Sequence, residues 1–199
     1  MQKTLEELWF YIKMDSIDCV KKTIEGFIEK SLVSEDPLHA KNTLEWLLKL
    51  KPDADEALKI AALGHDIERA IEHRKVKLKD YGSYDEFKEA HALNSARILE
   101  EIMKDCNVRK ELIDDVFFLV SHHETGGDGG IVVLRDADSI SFFHVNLPYY
   151  FVRNSIEETK RRCLWGYKKL PKNLQKVVVK FNYEDKKLES LVRAWVADS

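Results

Sequence analysis

Apolar side chains recur along this chain every three to five positions, with charged residues filling the gaps. Leu5, Leu8, Ile12, Ile17, Val20, Ile24 and Phe27 set that rhythm at the start, a spacing that lays one stripe along a helix. The same period continues, punctuated by helix starts and stops. The stretch SEDPLHAKNTLEWLLKLKPD opens a helix at Asp36-Pro37, an acidic cap followed by proline, and closes it at Pro52. A second helix follows in KPDADEALKIAALGHDIERAIEH, with proline and acids in its first turn. Ser83 and Glu86 form a capping-box pattern ahead of EFKEAHALNSARILEEIMK. Asn107 is placed to cap a helix that ends at His122-His123, where four glycines between Gly126 and Gly130 break the pattern. VVLRDADSISFFHV then reads as a helix, and two closing helices are expected beyond Pro148. KVVVKF is the one strand-like run, and a single β-branched run makes no sheet. The expected class is all-α, in a single domain over residues 1–199.

Composition narrows the function classes. With 44% hydrophobic and 34% charged residues, the chain can form a folded core. A net charge of −3 gives no overall basic footprint, so a dedicated nucleic-acid partner is not expected. The basic stretches Arg74-Lys75-x-Lys77-x-Lys79 and Lys160-Arg161-Arg162 are local exceptions. Cys19, Cys106 and Cys163 are odd in number and far apart, which suggests reduced thiols and no disulfide framework. The first residues carry no signal-peptide pattern, and no apolar run approaches the ~20 residues of a membrane span. A cytoplasmic location without a membrane partner is therefore expected. The N-terminal stripe and the Trp- and Tyr-bearing C-terminal helices offer surfaces for a homo-oligomer.

The histidines change the picture once placed on these helices. His39 shares a face with Thr43, Trp46, Leu47 and Leu50, and His65 follows Ala61 and Leu58. His91 lies between Phe87 and Ile98, His122 follows Phe118, His123 follows Leu119 and Val116, and Asp138 stands between Leu134 and Phe142. Taken singly, each reads as a core residue with one hydrogen bond. Taken together, five histidines and two acids on apolar faces need a compensating charge, because an unpaired buried carboxylate costs several kcal/mol. Imidazole with carboxylate suits one or two divalent ions per chain, drawn from Mn, Fe, Co, Ni, Zn or Mg. Two ions bridged by Asp66 would use the full set. His73 and His144 are assigned to surface and packing.

His39, the His65-Asp66 dipeptide and Asp138 in RDADSISFF resemble the H…HD…D signature of the HD superfamily of metal-dependent phosphohydrolases. The resemblance spans about residues 36–145 and implies a helical bundle with a core of about five helices. Residues 1–35 would add an N-terminal helix and 146–199 further C-terminal helices. HHETGGDGG is similar to the HHE…DG segment of the HD-GYP branch, and HDIER to its HDIGK, although no GYP follows. This implies a metal set of His39, His65, Asp66, His91, His122, His123 and Asp138. His91 and His122 would complete the shell of a second ion, with His123 beside them. Arg69 would meet a substrate phosphate, with Arg74, Lys75 and Lys77 at the rim. Glu68 either orients a ligand histidine or lies on the surface. The implied activity is hydrolysis of a nucleotide-like phosphate mono- or diester, with Asp66 and Arg69 in the chemistry. Two alternatives share the ligand set: an HD-type diiron oxygenase resembling myo-inositol oxygenase, and a non-catalytic nucleotide-binding HD module.

Overall fold

The structure, a computed structural model, describes residues 15–197. The apolar positions Leu5, Leu8 and Ile12 lie outside the described residues. Ten α-helices and no strand occur among the described residues. They are α1 (Ser16–Ile28), α2 (Asp36–Leu50), α3 (Glu56–Gly64), α4 (Tyr84–Asp105) and α5 (Lys110–His122), then α6 (Gly129–Ser141), α7 (Leu147–Arg153), α8 (Ile156–Lys169), α9 (Lys172–Val178) and α10 (Lys186–Ala197). The all-α expectation holds. In KVVVKF, Val177 and Val178 complete α9 instead of pairing as a strand.

Local chemistry explains the boundaries. Asp55 accepts a hydrogen bond from the Leu58 amide at 2.9 Å to start α3, and Ser83 accepts one from the Glu86 amide at 3.1 Å to start α4. Asn107 does not cap α5. It sits past the end of α4 at φ 56°, a left-handed position that asparagine tolerates, and Arg109 precedes α5.

α3 is the central helix. Ala57, Leu58, Ile60, Ala61, Ala62, Leu63 and Gly64 are all buried, and only Glu56 and Lys59 reach the surface, as expected for a helix packed on nearly every side. Gly64 lets the end of α3 close on α4, since a Cβ there would lie 2.6 Å from Leu99 Cδ2. The first core is built from α1 to α6, so α1 is integral to it through Val20, Ile24 and Ile28. A second core gathers Ile140, Phe143 and Leu147 with α8, α9 and α10. Trp46 and Leu50 of α2 pack against both. Asp138 of α6 falls between Ala137 of the first core and Ile140 of the second.

One expectation is overturned. Cys19 and Cys106 form a disulfide that ties α1 to the end of α4, with their Cα atoms 5.8 Å apart. They are 87 residues apart in sequence; only the packing of α1 on α4 brings them together, so spacing carried no sign of it. Cys163 remains a buried free thiol, and burial pushes it up to about 12. No helix among the described residues is long and apolar enough to cross a membrane.

Candidate metal centre

His65 and His123 occupy the same local position in two different helices. Each is the cap residue that ends its helix, α3 and α5 respectively. A helix end leaves carbonyls without amide partners, and each imidazole uses one. His65 Nδ1 donates to the Ala62 carbonyl at 3.1 Å, and His123 Nδ1 donates to the Val120 carbonyl at 2.7 Å. A carbonyl only accepts, so the proton sits on Nδ1 and the Nε2 lone pair is left free. Both Nε2 atoms are buried without a well-formed hydrogen bond, and each faces a carboxylate: Asp138 Oδ1 lies 3.3 Å from His65 and Glu124 Oε1 3.5 Å from His123. The rings meet with centroids 5.3 Å apart. The glycine loop follows at once, and Gly126 adopts φ 92°, a conformation that L side chains rarely take.

His39 and His91 repeat this arrangement with side-chain partners. Ser141 Oγ donates to the His39 carbonyl at 3.2 Å, leaving its lone pair to accept from His39 Nδ1 at 2.9 Å. His39 Nε2 then points to Asp138 Oδ1 at 3.0 Å. His91 Nδ1 donates to Glu68 Oε1 at 3.0 Å, while its Nε2 lies 2.8 Å from Asp66 Oδ1. Glu68 is fixed in turn by the Val76 amide at 3.0 Å and Asn94 Nδ2 at 2.8 Å. It is buried, which makes it the orienting carboxylate and not a surface residue. All four imidazoles therefore anchor Nδ1 outward and turn Nε2 toward Asp66 and Asp138.

The electrostatics call for a positive charge. Burial works against an imidazolium at His65, but Asp66 and Asp138 outweigh it and lift the group to about 9, so that Nε2 faces the carboxylates with either a proton or a cation on it. Burial likewise opposes charge on the two aspartates, yet His65 and its neighbours hold both well below the usual carboxylate range. Three groups of donor atoms lie within 4.8 Å of one another: His39, His65 and Asp138; His65, Asp66 and His123; and His91, His123 and Glu124. Buried Nε2 atoms that face carboxylates without a well-formed hydrogen bond are the donor set that a divalent cation satisfies. The residues present fit the ion that the sequence implies.

The sequence-predicted residues divide clearly. His39, His65, Asp66, His91, His123 and Asp138 converge. His122 does not: it is exposed and turned back to the Phe118 carbonyl at 2.8 Å. Consecutive helical residues point about 100° apart, and at this end of α5 one of the adjacent histidines faces inward and the other faces solvent. The inward one is His123, the reverse of the order expected. Arg69 bridges Asp66 at 2.8 Å and Asp36 at 2.9 Å, and lines the cleft over the centre. Arg74 binds Glu101 at the surface and, with Lys77, lines neither of the two clefts that adjoin the centre. Lys75 pairs with Glu72 and edges the second cleft. The Arg74 to Lys77 rim therefore reduces to Lys75. His73 is exposed as expected, whereas His144 is exposed while stacking on Phe181 at 4.8 Å.

Other participants were missed. Lys88 lies three residues before His91 on α4, lines both clefts and pairs with Glu124. Its helical spacing was a usable signal. Ser141, three residues after Asp138, offered the same signal. Asp36, an acidic cap by sequence, is the first residue of α2 behind Glu35, and it is buried against Arg69. The first cleft offers about 100 Å³ of space and the second about 330 Å³; they share Asp66, Arg69, Lys88, Phe142, Asn146 and Arg162.

The chain belongs to the DUF4202 family, a domain of unknown function, whose family model matches residues 13–192. No curated protein and no solved structure is significantly similar to it.

Proposed function

We propose that this DUF4202 protein is a metal-dependent phosphohydrolase acting on a phosphate mono- or diester, with an HD-type centre. The observation that carries the reading is the common orientation of four imidazoles, Nε2 inward, around two carboxylates at the floor of a cleft lined by Arg69 and Lys88. A bound divalent ion supplies a lowered pKa for water and neutralises phosphoryl charge. His39, His65, Asp66 and Asp138 would hold one ion, and His91, His123 and Glu124 a second. Asp66 spans the two sets, with Oδ1 toward His91 and Oδ2 toward His39. Ser141 and Glu68 keep the histidine lone pairs aimed inward. Arg69 spends one donor on Asp66 and one on Asp36; a guanidinium has five N–H donors, and the remaining ones are available to phosphate oxygens.

Imidazole and carboxylate also suit iron, so the ligands alone do not separate hydrolysis from oxygen chemistry. The cationic cleft favours the hydrolase. Phosphate release from a panel of nucleotides and aryl phosphates, with each metal in turn, tests this. Turnover should need the metal, disappear with a chelator, and fall about ten- to a hundredfold in Arg69→Ala with metal content unchanged. Two irons per chain with an oxygen-sensitive spectrum, and no phosphate release, would favour the oxygenase instead.

A further inference from the structure

Above the metal centre, α8 carries cations that differ from the others around the clefts. Arg69 is matched by Asp66 and Asp36, Lys88 by Glu124, Lys75 by Glu72, Arg153 by Glu35 and Arg135 by Asp136. Arg162 and Lys169 have no carboxylate within ion-pair distance among the described residues. They are held by aromatic faces instead. The Arg162 guanidinium lies 4.1 Å from the Phe142 ring and 4.6 Å from the Trp165 ring. The Lys169 ammonium lies 3.6 Å from the same Trp165 ring. Both line the cleft above Asp66 and Asp138. Burial, with the nearby Arg162 and Lys88 charges, keeps the Lys169 pKa below that of an ordinary lysine despite Glu124 and Asp85. Two like charges are thus held near the same Trp165 ring, without a carboxylate in direct contact, facing the candidate metal centre across an open cleft.

We infer that Arg162 and Lys169 form a second anion subsite, so that the substrate carries a second phosphate group beyond the one hydrolysed. The inference rests on the phosphohydrolase reading for the first phosphate. The subsite itself depends only on α8 and the cleft. A free anion with two phosphates gains from both ends at once, as linked binding groups do. A monophosphate meets only one end. Trp165 and Phe142 hold the cations in place, which limits the ordering cost of binding.

The test uses adenosine 5′-monophosphate and adenosine 3′,5′-bisphosphate as probes, titrated into the full-length, metal-loaded protein. Phosphate release and metal content are followed in the same samples. The wild type should bind the bisphosphate at least ten times more tightly. Arg162→Ala with Lys169→Ala should bring the two ligands within about twofold, while monophosphate affinity changes less than threefold. Arg162→Lys with Lys169→Arg keeps the charges and should retain most of the preference, which separates charge from a packing defect. Equal or undetectable binding of the two ligands by the wild type, or a preference that survives in the alanine variant, would overturn the subsite. A preference that depends on these residues, without phosphate release under any metal, would leave the subsite standing and remove the hydrolase reading.

Discussion

A histidine at a helix end is an ordinary surface feature until its second nitrogen is followed. His122 and His123 are neighbours, yet one turns back along the exposed face of α5 and the other buries an Nε2 that faces Glu124 without a well-formed hydrogen bond. Their substitutions should therefore separate. His123→Ala should lower metal affinity at least tenfold, whereas His122→Ala should leave it unchanged, as read by metal titration of the apo protein. Glu68 acts at one remove. Glu68→Gln keeps the shape but weakens the acceptor for His91 Nδ1, and loss of such an orienting carboxylate costs about 10–100-fold in metal affinity. An unchanged affinity in Glu68→Gln would mean that His91 is not a ligand. At this scale the sequence was informative where polar residues fell on apolar faces, as at His39, His65, His91 and Asp138. It was ambiguous for His122 and His123, because both positions follow apolar residues of α5. Glu68 stayed open between an orienting and a surface role, because its burial comes from the 3-10 turn Ile67–Ala70, where the α-helical period no longer applies.

Elements place these side chains by where they stop. α3 ends at Gly64 and α5 at His122, so that two cap histidines meet with free carbonyls behind them. α6 ends in a π-helical turn, Phe142–Asn146, directly after Ser141; such turns often occur at functional sites. Gly64 is the close contact that brings the α3 terminus against α4. Gly64→Ala would press a methyl onto Leu99, which is fully buried and cannot move aside freely. It should destabilise the fold by about 1–3 kcal/mol, measured by denaturant unfolding. A neutral effect would show that α4 gives way at this point. Helix existence was legible from periodicity and caps, most clearly at Ser83 and Glu86. Asn107 was misread because asparagine serves both as an N-cap and in left-handed turns, and the sequence does not distinguish them.

Across the whole molecule, the centre lies where two cores meet, with α2 and α6 belonging to both. The first core supplies the ligands. The second supplies α8, where Arg162 belongs to the basic stretch Lys160-Arg161-Arg162 and Lys169 to no motif; only the packing of α8 beside the cleft brings the two to the site. The Cys19–Cys106 link was equally hidden, since it records a tertiary contact between α1 and α4. Closing a loop of this length restricts the unfolded chain, so replacing both cysteines with serine should cost about 2–4 kcal/mol in unfolding free energy. No change in the unfolding midpoint, with metal content held equal, would mean that the link does not form in solution.

The most direct measurement is the metal content per chain of protein purified without added metal, by elemental analysis, for the wild type and for Asp66→Ala. Asp66 faces His39, His65 and His91 at once. The wild type should retain one or two divalent ions, and Asp66→Ala should lose them while staying helical. Full occupancy in Asp66→Ala, or no metal in the wild type even after reconstitution, would contradict a metal centre built on these residues.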